Sequence, residues 1–337
     1  MIISDVGFKA VTYVMQMTKP SHHCCLSFRL IKREMHMNMT FAGHVARYLS
    51  VLSIVITLTL PVSAKDEWNP GKRMRFATQG LVVKIGTVTP DAAVRFANKD
   101  HCVFGGFVKQ SESCRLRWKL EQGTTYTFIA SGDGFASDVD LSIKSEYGTR
   151  PLVQDTSIER DAVVMFTPKA TDWYMIDTKL ASGKQGKGAF ISMVVLSNNG
   201  YSIPLSNLTK AFDELFDSCS TFNDLEVTQG RKTVFAEKNE SWSLVGGVVR
   251  TGQKLGIDNV SLTSGKHAIV AAGDNSLLDS DLKVTRDGLT VVSDTRLYKK
   301  AFVSFDVKSN AMHNVTLTNY KSNGLSFVIF AMLTVLK

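Results

Sequence analysis

An internal duplication constrains the fold of this chain more than any other feature of its sequence. Residues 88–196 align with residues 227–336, and the register drifts by only two residues along the alignment. Within it, the segment 103–108 matches 244–249, and both contain a Gly-Gly pair at the same place. Two copies are too few for a solenoid, which needs at least three repeats. We therefore predict two tandem domains built from one unit of about 120 residues.

Each copy consists of short segments in which every second residue is apolar, separated by Gly, Asp, Asn and Ser. Residues 162–166 (Ala-Val-Val-Met-Phe) and 301–305 (Ala-Phe-Val-Ser-Phe) show this alternation at equivalent places. A period of two, with turn residues about every eight to twelve positions, is typical of an antiparallel sandwich. The sequence therefore predicts an all-β protein with one sandwich at 80–200 and a second at 223–337.

One amphipathic helix is predicted as the linker between the sandwiches, at 201–222. Ser206 is a suitable N-cap residue. The apolar residues that follow recur at three- and four-residue spacing and are Leu208, Ala211, Phe212, Leu215, Phe216 and Cys219. Such a stripe packs on a neighbouring domain more often than it binds a partner, and we expect packing here.

Two further segments have simple structural interpretations. The apolar run at 325–336 is too short to span a bilayer and takes the place of 190–196 in the first copy, which predicts the last strand of a sandwich. The basic run at 72–75 (Lys-Arg-Met-Arg) is expected to belong to a solvated N-terminal tail.

A secretory signal peptide is predicted at 39–64, behind an extension at 1–38 that we expect to be spurious or unstructured. Arg47 precedes an apolar run at 49–60, and Val62 and Ala64 are small residues at the positions that cleavage requires. The run is too short to cross about 30 Å of hydrocarbon, so we expect no membrane span after cleavage. This predicts an exported protein, periplasmic or extracellular.

Charge disfavours one class of protein, the nucleic-acid binders, and cysteine content excludes another, the disulfide-stabilised scaffolds. The net charge of +8 falls to +4 without residues 1–64, because they hold six of the 39 Lys and Arg and two of the 31 Asp and Glu. The signs are interspersed, which disfavours nucleic-acid binding. Three cysteines remain, Cys102, Cys114 and Cys219, and an odd count excludes a disulfide framework. Cys102 and Cys114 are the nearest pair, whose spacing leaves a disulfide open, and Cys219 is expected to be a buried thiol.

The segments 126–133, 138–141, 153–155 and 162–168 together resemble the bacterial pre-peptidase C-terminal domain. Residues 264–307 repeat the pattern with more divergence. The resemblance implies jelly-roll-like β-sandwiches, here two in tandem, of the kind found on exported bacterial proteins and usually beside peptidases. No peptidase domain precedes the copies in this sequence.

Clustered carboxylates are the one feature that suggests a metal. Each copy has three within eight residues, and we treat these six as candidate calcium ligands: Asp133, Asp138, Asp140, Asp274, Asp279 and Asp281. Calcium requires six to eight hard oxygen ligands, which carboxylates and backbone carbonyls supply. The alternative is that these side chains accept hydrogen bonds from turn N–H groups.

No catalytic residues are predicted. The histidines after the signal peptide, His101, His267 and His313, show no metal-ligand spacing, and no nucleophile-elbow motif occurs there. We therefore expect a non-enzymatic exported binding or structural protein, with no cofactor apart from calcium, that engages an extracellular or cell-envelope polymer or protein. The alternative is an exported hydrolase or peptidase-accessory protein that uses the acidic loops.

Overall fold

The computed structural model describes residues 11–16, 29–34, 68–89, 93–97, 101–236 and 242–337. The chain divides into two units, Met1–Lys65 and Asp66–Lys337. In the first unit, β1 (Val11–Gln16) pairs antiparallel with β2 (Arg29–Glu34). Both strands lie within the N-terminal extension at 1–38, and β1 contains β-branched and aromatic residues, which favour strands. The predicted signal peptide at 39–64 lies outside the described residues.

The second unit consists of two helices, each followed by a succession of strands. The elements of the first copy are α1 (Pro70–Val88), β3 (Ala93–Phe96), β4 (Val103–Val108), β5 (Ser113–Leu120), β6 (Tyr126–Gly132), β7 (Ala136–Ser145), β8 (Val153–Asp155), β9 (Asp161–Phe166), β10 (Asp172–Gly183), a 3-10 turn (Lys184–Gly186), β11 (Ala189–Ser197) and β12 (Tyr201–Pro204). Those of the second copy are α2 (Leu205–Thr228), β13 (Lys232–Phe235), β14 (Leu244–Val249), β15 (Lys254–Leu262), β16 (Gly265–Gly273), β17 (Leu277–Arg286), β18 (Leu289–Asp294), β19 (Ala301–Val307), β20 (Ala311–Ser322) and β21 (Ser326–Leu336). The prediction of an all-β protein is confirmed.

Both copies contribute to one antiparallel sheet of eleven described strands, the central sheet. Its main order is β9-β6-β11-β4-β14-β21-β16-β19. In addition, β3 pairs with β11, β12 with β3, and β13 with β21. The copies join where β4 pairs with β14, and Phe104 is the register partner of Val245. Because Phe104 and Val245 are equivalent residues of the two copies, a pseudo-twofold axis passes through this pair.

The central sheet is the middle of three layers. Two four-stranded sheets, β5-β10-β7-β8 and β15-β20-β17-β18, complete the two sandwiches. Phe104 and Met193 belong to the core shared with these sheets, whereas Phe190 and Phe327 belong to the core shared with the helices. Because both of its faces are covered, central strands such as β11 and β21 are buried along nearly their whole length. This explains why their sequences are continuously apolar and do not alternate.

The linking helix begins and ends later than the sequence indicates. It spans Leu205–Thr228, its N-cap residue is Pro204, and the expected cap Ser206 lies inside the first turn. The cause is that Tyr201–Pro204 pairs with β3 as strand β12. All six residues of the predicted apolar stripe are buried, and the helix packs on β16 and β21 of the second copy.

The basic run at 72–75 belongs to helix α1 and not to a solvated tail. Pro70 occupies the first turn, and the Asn69 side chain accepts a hydrogen bond from the Lys72 N–H at 3.1 Å, which caps the helix. Arg75 donates to Asp213 and Asp217 of α2, at 2.7 Å each. Helix α1 packs on β6 and β11, as α2 packs on β16 and β21, so the repeated unit is a helix followed by a sandwich.

Cys102, Cys114 and Cys219 are all buried. Cys102 lies in the core between the central sheet and the helices, whereas Cys114 lies in the core between the sheets, so the two thiols are in different layers. Cys219 is fully buried, and burial raises the pKa of its thiol. Neither described helix is long and apolar enough to cross a membrane.

Candidate functional site

The first candidate metal ligand of each copy, Asp133 or Asp274, caps a turn. Both side chains are fully buried. Asp133 accepts hydrogen bonds from the backbone N–H groups of Phe135 at 2.9 Å and Phe190 at 3.2 Å. Asp274 accepts the equivalent bonds, from Ser276 at 2.9 Å and Phe327 at 3.1 Å. Each carboxylate therefore fastens a hairpin turn to the adjacent central strand.

The two capping carboxylates differ in their side-chain partners. Arg73 of α1 donates to Asp133 at 2.9 Å, and its side chain is only 14% exposed. In the second copy, the amide of Asn207 in α2 donates to Asp274 at 3.1 Å. The helices are thus anchored to equivalent turns by an ion pair in one copy and by a hydrogen bond from an uncharged amide in the other.

The other four candidate ligands form a carboxylate pair in each copy. Burial and the neighbouring charge of Asp138 raise the pKa of Asp140, and burial with the charge of Asp279 raises that of Asp281. One carboxylate oxygen of Asp138 and one of Asp279 are buried without a hydrogen-bond partner among the described residues. No group of three or more Asp, Glu, His or Cys side chains in the described part of the chain is placed to hold a metal. Calcium binding at these residues stays a prediction.

Two histidines are packed at one end of the second sandwich. His267 and His313 are 2% and 3% exposed. Nε2 of His267 lies 2.8 Å from the carbonyl oxygen of Thr263, and Nδ1 lies 3.1 Å from the hydroxyl of Thr334. Burial, and secondarily the proximity of His313, lowers the pKa of His267. Equivalent positions in the first copy hold tyrosines, so these histidines replace core residues.

A cleft with a volume of about 400 Å³ lies on the pseudo-twofold axis, and we call it the central cleft. Its floor is the Phe104–Val245 pair that joins the copies, and its walls are strands β5 and β15. The lining residues are His101, Phe104, Leu116, Arg117, Trp118, Trp242, Val245, Gly256, Ile257 and Asp258. Both copies therefore build one site.

Two aromatic side chains bridge the copies at this cleft. The Trp242 indole N–H donates to the carbonyl oxygen of Arg115 on β5 at 2.9 Å. Nε2 of His101 lies 2.6 Å from the carbonyl oxygen of Gly256 on β15. A carbonyl oxygen only accepts, so Nε2 of His101 carries the proton. His101 is equivalent to Trp242, and Arg115 to Gly256, so the two bridges are related by the pseudo-twofold axis.

The central cleft is aromatic within and charged at its rim. The Phe104 ring centroid lies 5.5 Å from that of Trp242 and 5.9 Å from that of Trp118. At the rim, Arg117 forms an ion pair with Glu146 at 2.5 Å and lies over the ring of Trp173. Trp and Arg dominate the residues that contribute most to binding at interfaces. Aromatic lining with a few polar groups, at this volume, is also typical of ligand sites.

Sequence reasoning did not identify the central cleft. Its residues come from segments that are far apart in the chain, and only the pairing of β4 with β14 brings them together. One feature of the internal alignment points to the central cleft. His101 and Trp242 each stand two residues before the strand that contains the Gly-Gly pair, so a ring with an N–H group occupies the same position in both copies.

Comparison with known proteins identifies no family for this chain. No family and no curated protein sequence matches it. A periplasmic inhibitor of g-type lysozyme from Aeromonas hydrophila is 15% identical over 31% of this chain and 93% of its own, with a TM-score of 0.25. The PBSX exported protein XepA is 11% identical over 72% of this chain and 94% of its own, with a TM-score of 0.22. These scores are too low to support a shared fold or function.

Proposed function

We propose that this chain is an exported, non-enzymatic binding protein whose central cleft holds a short segment of an extracellular or cell-envelope polymer or protein. The observation that carries the proposal is the aromatic cleft on the pseudo-twofold axis, to which both copies contribute floor, walls and bridging side chains. Repeated modules commonly raise avidity by offering two separate sites. Here the duplication has a different use, because joining the copies creates a site that neither has alone.

The ligand chemistry follows from the lining of the central cleft. Phe104 and Trp118 offer apolar ring surface to a ring or branched apolar group. At the rim, Asp258 offers a negative charge, and Arg117, which is paired with Glu146, offers its remaining N–H groups to polar groups of a ligand. A cavity of about 400 Å³ admits one such unit and not a folded domain, so a polymer or protein would enter it through a single unit or side chain.

The absence of catalysis is part of the proposal and is supported by what the acidic and histidine side chains do. Asp133 already accepts two backbone bonds and one side-chain bond, and Asp274 accepts three backbone bonds and one side-chain bond. His267 is buried and held at both ring nitrogens. General acid–base catalysis needs a titratable group within reach of a substrate. Asp133, Asp274 and His267 are instead buried and hydrogen-bonded within the protein.

The proposal is tested by retention of cell-envelope material on the immobilised protein. A Trp118→Ala variant removes ring surface from the cleft, and Tyr320→Ala is the matched control, because Tyr320 is 61% exposed on β20 and does not line the cleft. We expect polymer or protein that binds the wild type to bind the Tyr320→Ala variant equally and the Trp118→Ala variant at least about tenfold more weakly. Equal retention by all three proteins would place the binding site elsewhere.

A further inference from the structure

We propose that a groove between α2 and β19 is a second binding site, which takes a single anionic amphiphile. The groove has a volume of about 400 Å³. We call it the α2–β19 groove, and its lining residues are Asp217, Ser218, Thr221, Phe222, Leu225, Val270, Arg296, Lys300, Ala301 and Phe302. It occurs in the second copy and shares no residue with the central cleft.

The apolar part of the groove is accessible. Leu225 is 55% exposed and Phe302 is 38% exposed, although both lie beside the buried ring of Phe222. The rings of Phe222 and Phe302 have centroids 5.3 Å apart, so they form a continuous surface between helix and strand. Apolar side chains gathered in a groove of this size, unlike scattered ones, indicate a ligand or partner site.

Cations accumulate beside this apolar surface. Lys210, Lys299 and Lys300 all pair with one carboxylate, Glu214, which lies one helical turn before Ser218. These ammonium groups lower the pKa of Glu214 to about 2, so it is ionised and the cluster carries two uncompensated positive charges. The lysine side chains remain 32–46% exposed.

The other charged residues near the groove are also paired. Arg296 donates to Asp294 through Nε at 2.9 Å and through one terminal nitrogen at 2.7 Å. Arg75 is shared by Asp217 and Asp213, at 2.7 Å each, which leaves one negative charge on that side of α2. This charge offsets only one of the two positive charges, so the local excess is positive and lies at the lysine end of the groove, which favours an anionic head group there.

The first copy provides an internal comparison for the loop that carries the cations. Asp155 accepts bonds from the N–H groups of Ser157 and Val163, and Asp294 accepts the equivalent bonds from Arg296 and Phe302. The loop backbone is thus held in the same way in both copies. Its sequence is Ser-Ile-Glu-Arg-Asp at 157–161 and Arg-Leu-Tyr-Lys-Lys at 296–300. Both copies therefore have a cation at the fourth position, whereas the scaffold does not require the cations Arg296 and Lys300 of the second copy.

These observations define the ligand by its chemistry. An anionic head, such as a carboxylate or sulfonate, pairs with Lys299 and Lys300, and an apolar chain or ring lies along Phe222, Phe302 and Leu225. Because helix and strand enclose the groove on two sides, it accommodates one molecule and not the plane of a lipid bilayer.

The experiment uses the full chain and two probes, dodecanoate and the fluorescent sulfonate anilinonaphthalene sulfonate. The main variant replaces residues 296–300 by the sequence Ser-Ile-Glu-Arg-Asp, which the same loop carries in the first copy. Arg160→Ala is the matched control, because Arg160 is the equivalent of Lys299. We expect one probe molecule to bind per chain, with an affinity that falls at least about tenfold in the loop variant and is unchanged in the control.

Three results would overturn the inference. They are equal affinity of the wild type and the loop variant, equal affinity for dodecanoate and the uncharged dodecanol, and binding to anionic vesicles without binding of monomeric dodecanoate. If the loop variant fails to fold, as judged by its circular dichroism, Lys299→Gln combined with Lys300→Gln decides the question by the same criterion. Because the α2–β19 groove and the central cleft share no residue, either binding proposal can be refuted without affecting the other.

Discussion

His101 and Trp242 occupy equivalent positions in the two copies, and each bonds through a ring nitrogen to a backbone carbonyl on the other copy's β-sheet edge. The carbonyls belong to Gly256 and Arg115, which are themselves equivalent. Together with the pairing of β4 and β14, these bonds hold the four-stranded sheets on either side of the central cleft. The two sandwiches therefore form one body with a shared site.

Loss of the Trp242 bridge should destabilise the protein. Trp242→Ala removes the hydrogen bond to Arg115 and the ring contact with Phe104, and we expect a loss of about 1–3 kcal/mol in the free energy of unfolding. Trp242→His introduces the residue found at the equivalent position of the first copy, His101. Its loss in the free energy of unfolding should be less than half that of Trp242→Ala. Urea unfolding of the three proteins measures this, and equal losses in both variants would show that the bridging bond contributes nothing.

Gly105 and Gly246 should not tolerate a side chain. A Cβ atom at Gly105 would lie 2.6 Å from the Phe190 ring, and one at Gly246 would lie 2.7 Å from the Phe327 ring. Because both rings are buried under the helices, alanine at either glycine should cost about 1–3 kcal/mol of stability. Gly134→Ala is the control, since no atom lies within 4 Å of its added Cβ. Thermal unfolding that did not distinguish the three variants would contradict the packing at the junction.

The stability of the second copy should fall in mild acid because of His267. Its pKa is lower in the folded state, so the unfolded chain binds more protons near pH 6, and stability is lost as the pH falls below about 6.5. His267→Tyr, the residue of the first copy, should reduce the difference in Tm between pH 7.5 and pH 5. An unchanged difference would mean that other groups cause the acid sensitivity.

Calcium should stabilise the protein only through the carboxylate pairs Asp138–Asp140 and Asp279–Asp281, because Asp133 and Asp274 are occupied by turn bonds. If the acidic loops serve as turns alone, excess calcium and excess chelator give the same Tm. A cation bound only by the folded state stabilises it by about 2.7 kcal/mol at a hundredfold excess over Kd. A rise in Tm that Asp138→Ala or Asp279→Ala abolishes would establish a metal site.

Local sequence patterns predicted the strands and the stripe of α2 because these features depend on neighbours along the chain. The junction of the copies was not predictable in this way, since β4 and β14 are buried on both faces and do not alternate. Helix α1 was missed because its first turns are basic, and the partners of Arg73 and Arg75, which are Asp133, Asp213 and Asp217, are distant in sequence. The central cleft is formed only when β4 pairs with β14, so local sequence patterns do not predict it.

Hydrogen exchange at the amides of Cys102 and Ser243 tests the account most directly, because these groups donate across the junction to Gly246 at 2.9 Å and Gly105 at 2.7 Å. If the copies share one sheet, both amides should exchange as slowly as those in the centre of β11 and β21, through global unfolding. Rapid exchange of the Cys102 and Ser243 amides, with β11 and β21 still protected, would show that the two sandwiches are separate. It would also contradict the existence of the central cleft, which depends on the pairing of β4 with β14.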